Sequence, residues 1–510
     1  MNDRIITSTI RRSVMILMFL AFGLPTAFSM PPISKSSTKK IFRVRLSTIP
    51  QSFDWNRATS GSESAVIRNL MIGLYEYDQS GQLQPVLAQS PVWGPNFKSL
   101  KITLKPGVVW EDGLPLTAFH FVDSFKRLLK PDLNSPNAFV LFSIQNARDY
   151  FFGKIKDFST VGVQATGELE LTFTFANPNP YFLNTLSYWA TFPIRKESLS
   201  LALGPYTLKS RTATEIWLAL NPKYVFKNRS IHPIDQVSFK VIPDIKTALK
   251  LYQSKELDYL LQVEDEQIEA AKKLGPVEIT DAFRVVALLH LNPSRVHTQS
   301  PENRRALIDA IRNPKVLDAL INTGGRAPSD HLIPPQWIAP PTADVLKLIQ
   351  TPLNRGKLPE TPTLLGYPDD SLSKSIAETI YKNADPLKIR IEAIRADQSQ
   401  TEKRYDLVLS LFGLDYIDPD QILSSFLSQG THDLFNYTLP DLTRILNLAR
   451  GEPDRIIRDQ FYWKAIHQLE NESALVTPLF YRKRAFLLRP TFVRGPSFIP
   501  GSPVLFGLSK

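Results

Sequence analysis

Ser371-Leu372-Ser373-Lys374, His467 with Glu470, and the acids Asp415, Asp418 and Asp420 are the groups whose types and spacing could do chemistry. The first has the SxxK spacing in which a lysine activates a serine nucleophile. Enzymes of that kind also need companion Ser/Asn and Lys-Thr-Gly segments, and no Lys-Thr-Gly occurs. His467 and Glu470 are spaced to face one metal ion from a helix, but with no third ligand in view a solvated polar face is the simpler reading. The three acids suggest calcium, against which stand Pro419 and the missing bidentate Glu. There is no GxSxG elbow and no Gly-rich phosphate loop after a strand. With no cysteine in the chain, disulfides, thiolate metal sites, a Cys nucleophile and a lipidated Cys are all excluded. No cofactor is expected. Asp415 is then the acid to explain, either as a ligand's ionic anchor or as a helix cap or loop acid satisfied by nearby backbone N–H groups.

The elements around Asp415 favour the anchor. Residues 407–412 are an apolar run of strand length without a charge, ended by Gly413, which predicts a strand buried on both faces. An acid just beyond such a strand falls where open α/β sheets place their ligands. Elsewhere, Ile41–Leu46 predicts a strand, and Val66, Ile67, Leu70 and Met71 mark a helix face within residues 63–74. Thr117 is a predicted N-cap for a helix over 118–129. Strands and helices alternate from Leu171 through residues 237–241 to a helix at 245–253, as in α/β lobes. The Pro-rich stretch 334–362 reads as loop. Residues 455–469 predict an amphipathic helix with Ile456, Ile457, Phe461, Ala465 and Leu469 on one face.

At 510 residues the chain is too long for one core, and two or three domains are expected. Arg4, Arg11 and Arg12 precede an apolar stretch at 14–24, with Ala27 and Ser29 at cleavage spacing, which predicts a secretory signal peptide over residues 1–29. The Arg11-Arg12 pair hints at twin-arginine export, but its flanks fit poorly and ordinary secretion is expected. Residues 30–40 read as a flexible linker. Without the first 29 residues the net charge falls from +11 to +9. That moderate excess is spread thinly, and no basic run is interleaved with aromatics, so nucleic acid is not an expected partner. The expected location is the periplasm, with no lipid anchor.

A run of sequence blocks carries a resemblance. Glu76-Tyr77-Asp78, residues 81–88 (GQLQPVLA), 105–110 (KPGVVW) and 112–118 (DGLPLTA) follow one another in order. Asn179-Pro180-Tyr181-Phe182, residues 204–209 (GPYTLK), 221–224 (NPKY), 234–237 (IDQV), Glu256-Leu257-Asp258, 303–307 (NRRAL) and 415–419 (DYIDP) continue the series. Together they resemble the family 5 extracellular solute-binding proteins of ABC importers, closest to the oligopeptide-binding branch.

The resemblance implies a two-lobed α/β fold of the class II periplasmic-binding-protein type, with three domains, crossing strands and a cleft between lobes. Domain I would comprise residues 41–70, 180–283 and 488–510, domain II residues 71–179, and domain III residues 284–487. It implies peptide capture in the cleft and delivery to a membrane permease, without chemistry and as a monomer. Matching the family's Asp-Tyr to Asp415-Tyr416 makes Asp415 the carboxylate that holds a peptide's α-ammonium. The implied main-chain edges for the peptide are Ser60-Gly61 and Phe412-Gly413. Phe412 stands where the family usually has Trp, Leu409 where some relatives have a basic residue, and Asn137, which the resemblance also implies as a ligand-binding residue, where a Tyr often follows Ser-Pro. Capture of the ligand's carboxylate is therefore not expected from position 409. The rival readings are another solute, such as a metal chelate, haem or a wall-derived peptide, and a secreted serine hydrolase using Ser371 and Lys374.

Overall fold

A computed structural model describes residues 39–78, 82–195, 201–226, 234–322, 325–394, 401–413, 418–427, 434–435, 437, 439–494, 505 and 508–509. The expected signal peptide, most of the linker, and Asp415 with Leu414, Tyr416 and Ile417 lie outside the described residues. Within Lys40–Lys510, an eleven-stranded mixed sheet runs through both lobes. Its path is Ile389–Ile394, Thr363–Pro368, Leu407–Gly413, Val277–Leu291, Val476–Leu488, Tyr259–Val263, Ile41–Leu46, Gln236–Val241, Glu215–Leu220 and Tyr206–Arg211, with Arg326–Pro328 added on Val476–Leu488.

Each lobe contains parallel strands, at the centre of the first and, as Ile389–Ile394, Thr363–Pro368 and Leu407–Gly413, along the edge of the other, and in both the sheet is covered on two faces and its strands are apolar on both. In the first lobe, Ile41–Leu46 pairs in parallel with Gln236–Val241 and Tyr259–Val263. One face packs Phe42, Val44, Val237 and Phe239, and the other packs Leu260, Leu487 and the helix residues Ala248 and Tyr252. In the other lobe, Val286, Leu288, Val408 and Phe412 face one core while Ala287, Leu289, Leu407 and Leu409 face a second. That period-2 division explains why residues 407–412 read as one unbroken apolar run.

Two long antiparallel strands join the lobes. Val277–Leu291 pairs with Val476–Leu488 from Val277↔Leu487 to Thr280↔Arg484, breaks, and resumes from Val285↔Arg482 to His290↔Val476. On the first side of the break their neighbour is Tyr259–Val263, and on the second it is Leu407–Gly413. The ladder is therefore interrupted where the chain passes between lobes. A buried ion pair sits at that level: Asp265 Oδ2 accepts from Arg326 Nε at 2.8 Å, and Asp265 Oδ1 from Arg482 Nε at 3.3 Å. Gly325 lies against this carboxylate, and an added Cβ would collide with it.

An antiparallel four-stranded sheet, in the order Val92–Trp93, Ser99–Thr103, Glu170–Thr174, Val163–Gly167, packs under the helix Ala118–Leu128. Its core extends into flanking chain, taking in Trp55, Ala58 and Ile67 before it and Phe182, Leu186, Tyr188 and Phe192 after it.

Two helices differ from expectation. Gly61–Leu70 begins earlier than residue 63, because Ser60 and Glu63 form a capping box. Arg455–His467 is a helix, but Ile456 and Ile457 are 63% and 50% exposed while Arg458, Asp459, Tyr462 and Trp463 are buried. Ala465 and Leu469 of the expected face are buried and Phe461 packs against the core, whereas in the first turns two charged residues are inward because they find partners elsewhere in the chain. Within 334–362, the helix Ala343–Ile349 interrupts the expected loop. None of the described helices is long and apolar enough to cross a membrane.

Candidate functional site

Ser60-Gly61 forms a corner built around one carboxylate. Glu63 Oε2 accepts from the backbone N–H groups of Thr59 and Ser60, both at 3.0 Å, and Oε1 from those of Gln51 and Ser52, both at 3.2 Å. Ser60 Oγ accepts in return from the Glu63 N–H at 3.2 Å. Burial works against the charge, but these donors outweigh it and hold the Glu63 pKa below its ordinary value. Gly61 is exposed, with nothing within 4 Å of where a side chain would begin. The corner thus presents main chain to solvent on a rigid support.

The helix Ala118–Leu128, over the four-stranded sheet, and the loop after it brace the same corner. Arg127 grips Asp54 with both terminal nitrogens, at 2.8 and 2.6 Å, and also donates to Asn56 Oδ1 at 2.7 Å. Ser135 Oγ donates to the Asn56 carbonyl. Asn137 is buried: its Nδ2 donates to the Ala58 carbonyl at 2.9 Å, and its Oδ1 accepts from Tyr188 Oη at 3.1 Å. In this arrangement the Asn137 side chain is engaged inside the protein and supports the chain leading to Ser60.

The second expected edge ends the strand Leu407–Gly413. On one side this strand pairs with Val277–Leu291 as far as Gly413, opposite Val285. On the other, Thr363–Pro368 pairs only with Leu407 and Val408. Gly413 is exposed and open where a side chain would begin. The Phe412 side chain is buried in the core with Val286 and Tyr481. Leu409 is buried in the opposite core, where a charged side chain would be desolvated. Asp415 lies beyond the strand and outside the described residues.

From Asp418 onward the chain meets the other lobe. Asp418 caps the helix Pro419–Ser424 by accepting from the Asp420 N–H at 2.9 Å, and its Oδ2 lies 3.2 Å from Arg458 Nη1. Asn184, whose neighbours Phe182 and Leu186 belong to the inserted domain's core, donates to Asp418 Oδ2 at 3.4 Å. The Arg458 guanidinium lies over the Tyr181 ring. Burial disfavours the Arg458 charge, yet Asp418 and the surrounding acids and phenols hold its pKa above the ordinary value. Burial pushes the Tyr181 hydroxyl up to about 12. Sequence reading gave Arg458 no role, since nothing in a local pattern marks a buried arginine.

The other patterns disperse. Ser371 and Lys374 are both exposed in the first turn of the helix Ser371–Asn383. Glu470 accepts from the Leu332 N–H at 2.6 Å and pairs with His331 Nδ1 at 2.9 Å, while His467 Nε2 lies 3.6 Å from Glu472. Asp418 is taken by Arg458, and both Asp420 oxygens by Arg450, at 2.9 and 3.0 Å. Among the described residues no three His, Asp or Glu side chains are grouped to hold a metal ion.

Two α/β lobes joined by crossing strands, with an inserted domain, define a class II ligand-trapping binding protein. Residues 82–433 match the bacterial extracellular solute-binding proteins, family 5 Middle, and the chain belongs to that family. It is 26% identical over 477 residues to the periplasmic oligopeptide-binding protein OppA of Salmonella typhimurium, covering 86% of this chain and 87% of that one. It is 24% identical over 523 residues to the probable deoxycholate-binding periplasmic protein YgiS of Escherichia coli, covering 94% and 95%. Among solved structures, the Escherichia coli murein tripeptide binding protein MppA superposes with a TM-score of 0.76 at 21% identity, over 92% of this chain and 98% of that one. Haemophilus influenzae OppA in complex with RPPGFSPFR gives 0.74 at 22%, over 92% and 99%. At these identities the structural likeness speaks for the fold.

Proposed function

We propose that the chain is a periplasmic peptide-capturing component of an ABC importer, which traps a peptide between its lobes and presents it to a membrane permease. The observation that carries this reading is the strand end at Gly413: one ladder occupied, the Thr363–Pro368 ladder ended at Val408, and open space above the glycine. An extended peptide adds to such an edge through its main chain, which grips any sequence, while side-chain pockets tune preference. Asp415 is assigned the peptide's α-ammonium, with Ser60-Gly61 and Phe412-Gly413 as main-chain partners and Asn137 supporting the first of them. Binding proceeds without turnover. The mature protein is a free monomer released by cleavage after Ser29, with the domain boundaries given above.

A second reading, another solute in the same cleft, is supported by the relative named for deoxycholate, whose alignment spans 94% of this chain. Incubating ligand-stripped protein with a peptide library and analysing the bound fraction by mass spectrometry separates the possibilities. Intact peptides are expected. Cleaved products would favour a hydrolase using Ser371 and Lys374, and retention of deoxycholate but no peptide would favour the second reading.

A further inference from the structure

The sequence block Asn179–Phe182, which no ligand contact accounts for, and the Asp418-Pro419 end of the block that begins at Asp415 come together at a single side chain from a third segment, Arg458. Asp418 and Arg458 both belong to the lobe that carries the strand Leu407–Gly413, and their side chains are 4% and 5% exposed. Tyr462 adds a hydroxyl 3.5 Å from Asp418 Oδ1 and a ring 5.0 Å from the guanidinium. The remaining cover comes from the other body. Tyr181 lies under the guanidinium, and its hydroxyl donates to the carbonyls of Glu452 at 3.4 Å and Pro453 at 3.2 Å. Asn184 reaches Asp418 from the same short segment. A guanidinium between an acid and an aromatic face is strongly held only while water is excluded. Separation of the two bodies removes Tyr181 and hydrates that face.

We propose that Tyr181 and Arg458 form a latch that populates the closed arrangement before any ligand arrives, with Arg458 as a positioning residue. Closure seats Tyr181 on Arg458. Arg458 holds Asp418, and Asp418 caps the helix that follows the ligand-anchoring strand. The inference rests on the reading of this cleft as a solute trap and adds its regulation: part of the closing free energy comes from the protein itself.

Because the chain has no cysteine, spin labels at Lys154→Cys and Arg444→Cys, which are 72% and 65% exposed, report one lobe-to-lobe distance. The distance distribution is measured on ligand-stripped protein. The unsubstituted latch is expected to show a closed population, and Tyr181→Ala to lower the closed-to-open ratio about tenfold or more. Tyr181→Phe, which keeps the ring but loses the hydroxyl's bonds to Glu452 and Pro453, should fall between the parent and Tyr181→Ala. Arg458→Lys, which keeps a charge for Asp418 but cannot stack flat, should behave as Tyr181→Ala does and carries the test if that variant does not fold. The proposal is overturned if the ligand-stripped parent is wholly open, if Tyr181→Ala or Arg458→Lys leaves the distribution unchanged, or if Tyr181→Phe opens as far as Tyr181→Ala. No ligand enters the measurement, so its outcome is separate from whether peptides bind.

Discussion

Glu63 shows how much one side chain can do to fix a stretch of exposed main chain. Its carboxylate collects four backbone N–H groups, turns residues 51–60 around itself and starts the helix Gly61–Leu70. Glu63→Gln keeps the size but loses the charge, and is expected to lower stability by roughly 1–2 kcal/mol at neutral pH, measured by urea unfolding. The folded pKa is depressed below the ordinary 4.5. The charge therefore stabilises fully above that value, and the difference between parent and variant should shrink as pH falls through the lowered pKa. A gap that persists unchanged at low pH would mean the contribution is packing. The signature, Ser60-Gly61-Ser62-Glu63, is a capping box written in the sequence. Reading the helix from its apolar residues alone set its start at Glu63, and so missed that the expected ligand edge is the helix cap itself.

Elements whose burial follows from their own composition were legible. The strand Leu407–Gly413 is apolar on both faces because both are covered, and the helix Ile245–Gln253 matches its expected span. The helix Arg455–His467 was legible in extent and in the burial of Ala465, but not in its first turns, where Ile456 and Ile457 are exposed. Its inward face carries Arg458 and Asp459, which are buried because Asp418 and Tyr181 meet the first and the Ala339 N–H meets the second at 2.8 Å. Those partners lie far away in sequence, and no periodicity encodes them. Asn137 is similar. The resemblance, which often has Tyr there, put it among the expected ligand-binding residues, and in the structure its amide holds Ala58 and Tyr188. The NRRAL block has a structural account of the same kind: Arg304 and Arg305 donate to the carbonyls of Ser473, Asn471 and Glu472, closing the end of the turn after Arg455–His467. Patterns of one to four residues reveal caps and strands, while side chains that join separate segments are seen only once the chain is folded.

For the molecule as a whole, the break in the two crossing strands and the Asp265–Arg326–Arg482 cluster beside it mark the place about which the lobes are joined. Asp265 and Arg326 are each 2% exposed at their side chains. Asp265→Asn leaves two arginines without a buried counter-charge and is expected to cost about 3–5 kcal/mol in urea unfolding. A loss below roughly 1 kcal/mol would show that water reaches the cluster and that it does not hold the lobes together. A junction of this kind permits a cleft to close on a solute, and the solute proposed above is a peptide held by its free amine. Calorimetry tests this most directly, by titrating one peptide with a free N-terminus and the same peptide N-acetylated into the parent protein and into Asp415→Ala. Loss of about a hundredfold or more in affinity is expected on acetylation or on Asp415→Ala, with little further loss when both are combined. Equal affinity for the free and acetylated peptides, or unchanged affinity in Asp415→Ala, would contradict the account.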